Sequence, residues 1–152
     1  MTSPTTARTE IVRTETMAWV PTGPGKSFRP LHFGEDHWSE IMRLEPGAEV
    51  PLHRHTGDVH AFTVAGARRL GTGEDLGPGD YHHEPAGTID AWQAIGDRPC
   101  IVHLVIGGAV EYLDPDGEIT GKTDSASQAA IYRQWCALAG AAAARALGEP
   151  GR

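Results

Sequence analysis

The stretch "PLHRHTGDVHAF", residues 51–62, places His53, His55 and His60 within eight positions, among residues that otherwise read as strand and turn. In a β-strand, positions i and i+2 project from the same face. His53 and His55 would therefore aim their imidazoles at one space. If that space is the inside of a small barrel, two converging imidazoles suit a divalent transition metal, with zinc, iron, copper and nickel all chemically acceptable. The bland alternative is a pair of histidines hydrogen-bonded in a polar barrel mouth. The surrounding chain decides between them.

Working outward, short apolar runs alternate with turn chemistry. "HWSEIMRL" is stopped by "EPG", "VHAFTVAG" ends at Gly66, "GPGD" precedes "YHHE", and "AVEYL" meets the strong turn "DPDG". "DAWQA" and "IVHLVI" flank "GDRP", which reads as a hairpin. Residues 16–33 carry aromatics among prolines and glycines and read as irregular chain with an edge strand. Strands at this spacing leave no room for the crossover helices of a parallel sheet, so the fold is all-β, a sandwich or small barrel. From Ser125 to Leu147 the chain turns alanine-rich, with Ile131, Trp135, Leu138 and Ala142 at helical spacing. Asp124 or Ser125 can cap this helix, and Gly140 can break it. The predicted organisation is a disordered tail over 1–14, a barrel domain over 15–122, and a helix over 123–148 packed on the barrel or on a partner subunit.

Composition narrows the class of function. At 152 residues the chain can bury a core without staples. A net charge of −7 with scattered cations argues against nucleic acid and anionic membranes as partners. The longest apolar run, "CIVHLVIGGAV", is too short to span a bilayer. Cys100 and Cys136 form neither a metal pair nor a disulfide framework, and no signal peptide is evident, so a cytoplasmic location is expected.

The spacing around the histidines carries a resemblance. Gly47, five residues, His53-Arg54-His55 and then Gly66 form one segment. Gly79, five residues, Pro85-Ala86-Gly87, two residues and Asp90 form another. This pattern resembles the two motifs of the cupin family, G-x5-H-x-H-x3,4-E-x6-G and G-x5-P-x-G-x2-H-x3-N, over about residues 44–113. The resemblance implies a cupin double-stranded β-helix, or jelly-roll barrel, with a C-terminal α-helix. The chain departs from the pattern at Val59, where the family has glutamate, at Asp90, where it has histidine, and at Ala94, where it has asparagine. "MAWVPTGPGKSFRPL", "YHHEPAGTIDAW", "YLDPDGEI" and "IYRQWCALAG" extend the likeness, which is similar to the 2,4'-dihydroxyacetophenone dioxygenase branch.

That resemblance implies a metal-dependent dioxygenase. Its divalent metal would be iron(II), with zinc or nickel as alternatives, and its partners a small (aryl) ketone and O2. It implies His53 and His55 as metal ligands. A homo-oligomer, dimer or tetramer, is expected. A metal-dependent isomerase or cyclase, and a non-catalytic ligand-binding cupin, stay open beside it. A tight hairpin about Gly96-Asp97 would set Asp90 opposite His103, so these two are predicted to complete the metal site together. His60 is a candidate base or hydrogen-bond donor, and Glu84 a candidate catalytic carboxylate. Trp92 and Phe62 are core or pocket residues.

Overall fold

The computed structural model describes residues 6–140, which form two six-stranded antiparallel sheets and one helix. After a single 3-10 turn at Thr14–Thr16, strands β1 (Val20–Gly23), β2 (Lys26–Phe33) and β3 (His37–Leu44) open the first sheet. β4 (Glu49–His55) crosses to the second sheet, and β5 (Val59–Ala65) returns to the first. β6 (Ala67–Leu70) and β7 (Asp75–Leu76) lie in the second, β8 (Tyr81–Glu84) in the first, and β9 (Ile89–Ile95) again in the second. β10 (Cys100–Gly107) is central to the first sheet, while β11 (Ala109–Leu113) and β12 (Ile119–Asp124) close the second. The spatial orders are β1-β2-β3-β10-β5-β8 and β12-β11-β4-β9-β6-β7. This repeated switching between facing sheets is the jelly-roll arrangement.

Alternation places the core between the sheets. On β10, Cys100, Val102, Leu104 and Ile106 are buried, and on β9 Asp90, Trp92 and Ala94 are. All of these but Asp90 meet Trp38, Leu44, Val59, Ala61 and Val110 in one contiguous cluster. The switch from β5 to β6 depends on Gly66. Its φ of +69° is left-handed, and a Cβ there would lie 2.3 Å from the Pro99 carbonyl oxygen. Only glycine satisfies both constraints.

The structure differs from the sequence reading in three places. Residues 20–33, expected to be mostly irregular, form β1 and β2, and β2 lies between two other strands. Pro30 is tolerated there because the pairing of β2 with β3 shifts register between Pro30 and His32, where no ladder N–H is required of it. β9 and β10 are not a hairpin. Each is flanked on both sides by other strands, in different sheets, so the turn about Gly96 carries the chain across the sandwich.

The third difference is the helix face. Helix α1 spans Ser125–Ala139, with Asp124 and Ser127 forming a reciprocal capping box and Gly140 ending it at φ 90°. It buries Ser125, Gln128, Ala129 and Tyr132, whereas Ile131 and Leu138 are exposed. Tyr132 and Trp135 pack on Val20, Phe28 and Phe33, and Gln128 reaches a buried carboxylate, Glu40. Of the stripe that apolar spacing suggested, Trp135 packs as expected, while Ile131 and Leu138 are turned outward. Ala142 and the rest of the expected helix to 148 lie outside the described residues.

Candidate metal centre

His53 and His55 project inward from β4 and are both buried. Their Nε2 atoms lie 3.0 Å apart. His53 Nδ1 lies 2.8 Å from the Pro51 carbonyl oxygen. A carbonyl only accepts, so Nδ1 carries the proton and Nε2 presents its lone pair to the interior. Burial, chiefly, holds the His53 pKa below that of a free imidazole, reinforced by its neighbour His55.

The carboxylate that meets these rings is Glu84, whose Oε2 is 3.3 Å from His55 Nε2. Burial would raise its pKa. The hydrogen bond from His55, with the charges of His55, His82 and His53, outweighs that and leaves the pKa lowered. Glu84 is the cross-strand partner of Val59. A carboxylate missing from the first motif is thus presented to the same space from the adjacent strand. The sequence carried the signal in "YHHE": alternation puts His82 and Glu84 on one face of β8 and His83 on the other.

Asp90 is also buried and lies directly opposite His53 in the β4–β9 ladder. Its Oδ1 accepts the Gly71 N–H at 2.9 Å. His103 is not brought to the site. It alternates with the buried Val102 and Leu104 and pairs with Ile41 and Phe62, so it stands on the outer face of the first sheet. The expected opposition of Asp90 and His103 fails with the hairpin it depended on. His60 is likewise exposed on the outer face, against Tyr81 and His83, and cannot act on anything in the interior. Phe62 shares that outer face and is 44% exposed, while Trp92 lines the interior.

The two imidazoles and Glu84 line a cavity of about 560 Å³. Two further buried charged residues border it. Arg68 is 2% exposed, its Nε and Nη2 have no hydrogen-bond partner among the described residues, and its guanidinium lies 4.7 Å over the Trp92 ring. Glu40 is 1% exposed, and its Oε1 accepts from Trp38 Nε1 at 2.5 Å and Gln128 Nε2 at 3.2 Å. Its Oε2 has no hydrogen-bond partner among the described residues. Burial pushes the Glu40 pKa up to about 7, against the pull of those two donors. A glutamate between Trp38 and Met42 on the inward rail of "HWSEIMRL" was readable from the sequence and was missed there.

The donor set fits a divalent metal. Ligands bound at about 2.0–2.2 Å around one ion stand roughly 3.0–3.4 Å apart, and the His53–His55 and His55–Glu84 separations of 3.0 Å and 3.3 Å fall in that range. With Nδ1 of His53 protonated, only one proton remains to serve the two close contacts that His55 Nε2 makes with His53 and Glu84, a need a cation would meet. His53, His55 and Glu84 are the residues that would hold it.

The chain belongs to the ChrR cupin-like domain family, whose model matches residues 7–110; it is a cupin. It is similar to a cupin-fold protein of unknown function from Ralstonia eutropha, at 21% identity, 90% coverage of each chain and a TM-score of 0.81. It is also similar to an acetylacetone dioxygenase from Acinetobacter johnsonii, at 15% identity, 88% and 96% coverage and a TM-score of 0.73. The anti-sigma protein ChrR of Rhodobacter sphaeroides, seen in complex with SigE, matches at 24% identity, 62% and 50% coverage and a TM-score of 0.55. These likenesses are of fold. No curated protein matches the chain. Among the described residues no helix is long and apolar enough to cross a membrane.

Proposed function

We propose that this cupin is a non-haem iron dioxygenase that cleaves a carbon–carbon bond in a small aryl α-hydroxyketone or β-diketone. The observation that carries the reading is one cavity holding two imidazoles, a carboxylate and an unpaired buried guanidinium. Similarity to the acetylacetone dioxygenase fold supports it. Iron(II), when bound by His53, His55 and Glu84, would supply the redox chemistry with O2 that no side chain here provides.

The chain's own residues account for substrate selection. Trp38, Val59, Trp92, Leu104 and Ile106 give the cavity apolar walls that exclude water and accept an aryl ring. Arg68 has two donor nitrogens, Nε and Nη2, without a partner among the described residues in a desolvated wall, where an enolate oxygen would receive charge-assisted hydrogen bonds. That contact favours the ionised form of an enolisable ketone over the neutral one. Trp92, held beneath the guanidinium, fixes its plane.

The test is an oxygen electrode with protein reconstituted anaerobically with iron(II) and a panel of aryl α-hydroxyketones and β-diketones. Oxygen uptake in step with substrate loss is expected. Turnover without oxygen, or only with zinc, would assign the chain to metal-dependent isomerase or cyclase chemistry instead.

A further inference from the structure

On the outer face of the first sheet, Asp58, His60 and His83 gather at a place that the cavity chemistry does not use. His60 and His83 are directly opposed in the β5–β8 ladder. Their rings stack at 4.8 Å between centroids, tilted by only 14°. Asp58, just before β5, brings Oδ2 to 3.7 Å from His83 Nε2. One donor atom from each of the three lies within 4.8 Å of the others, and all three residues are exposed.

Two contacts orient these donors. Asp58 Oδ1 accepts the Ala86 N–H at 2.9 Å, which leaves Oδ2 facing the histidines. His60 Nδ1 is 2.5 Å from the Tyr81 hydroxyl. A phenol hydroxyl both accepts and donates; in the tautomer where His60 Nδ1–H donates to it, Nε2 keeps the lone pair a metal needs and Tyr81 is the orienting partner.

We infer that Asp58, His60 and His83 form a second divalent-metal site, facing solvent, for a late first-row ion such as zinc, nickel or copper. Two imidazoles and one carboxylate are the donors such ions prefer, and open positions go to water. Donors on one ion at about 2.0–2.2 Å stand roughly 3.0–3.4 Å apart. Binding therefore draws the donors together by about 1–2 Å at most, a movement that falls on exposed side chains. The site does not depend on the iron reading.

Its position gives it a consequence inside the barrel. The His60–His83 rung is next to the Val59–Glu84 rung of the same ladder. β8 is a four-residue edge strand, and it is the element that delivers Glu84 to the cavity. A metal bridging β5 and β8 clamps that strand from outside, while the Asp58–Ala86 bond already ties down the turn beyond it.

Zinc titration of the chelator-stripped full chain, followed by calorimetry and by thermal unfolding, tests the inference. In His53→Ala/His55→Ala protein, whose interior pair is removed, about one zinc should still bind and should raise Tm. Adding His60→Gln and His83→Gln should abolish both effects, and Asp58→Asn alone should weaken binding by about tenfold or more. Because His60 and His83 are exposed, their glutamine variants in the otherwise unaltered chain give a second measure: zinc stoichiometry should fall by one while the folded state persists. Zinc binding unchanged by His60→Gln/His83→Gln in either background overturns the inference. So does folded His53→Ala/His55→Ala protein that binds no zinc.

Discussion

Replacing Glu40 by glutamine should stabilise the metal-free protein strongly above neutral pH and only weakly in mild acid. Glu40 is fully buried, and its carboxyl titrates near 7 in the folded chain against 4.5 when free. Below 4.5 both states hold the proton and the group costs the fold nothing. As pH rises toward 7 the unfolded chain releases the proton freely while the folded chain retains it. Stability is lost over that interval and stays lost above it. At about 1.4 kcal/mol per pH unit, the penalty approaches roughly 3 kcal/mol at pH 8 and is below about 1 kcal/mol at pH 5. Glutamine keeps an acceptor for Trp38 and Gln128 but cannot ionise. Urea unfolding in chelator should therefore show Glu40→Gln gaining roughly 3 kcal/mol at pH 8, a midpoint shift of about 1–2 M. A gain of equal size at pH 5 and pH 8, or a loss at pH 8, refutes a neutral buried carboxyl as the cause.

Three other outcomes follow from particular contacts. Glu84→Gln should weaken iron(II) affinity by about 10–100-fold, read by chelator competition, because it removes the charged oxygen 3.3 Å from His55. Arg68→Met should leave the urea midpoint unchanged or higher, since a buried unpaired guanidinium is costly, while raising KM for the ketone substrate severalfold in oxygen-uptake assays. Gly66→Ala should cost about 2–3 kcal/mol in urea unfolding, because a left-handed φ and the Pro99 carbonyl both oppose a Cβ.

The strand alternation of "HRH" led directly to two inward imidazoles, and the motif spacing led to the barrel that encloses them. Local rules sufficed there because both histidines lie on one strand. The rest of the site comes from strands distant in sequence. Glu84 enters because β5 pairs with β8, and Arg68 and Glu40 enter from β6 and β3, none of which short-range pattern can align. His103 shows the converse error. The turn about Gly96 has hairpin chemistry, but β9 and β10 each find partners elsewhere, and the sandwich sends His103 to the outer face. His60 follows the same logic: one position beyond the interior-facing Val59, it must point outward, and this alternation was already legible in "DVHAF". The helix shows a third limit. Apolar spacing favoured Ile131, Trp135 and Leu138; Trp135 packs, but Tyr132 and the polar Gln128, bonded to a buried acid, share the docked face while Ile131 and Leu138 are exposed.

The central claim, that the barrel interior holds a divalent metal between His53, His55 and Glu84, is tested most directly by anaerobic iron(II) loading of His60→Gln/His83→Gln protein, in which the outer site is absent. Metal analysis after desalting should find about one iron per chain, lost when His53→Ala is added to the same protein. Iron that remains after His53→Ala, or no iron in the folded His60→Gln/His83→Gln protein, would contradict the account.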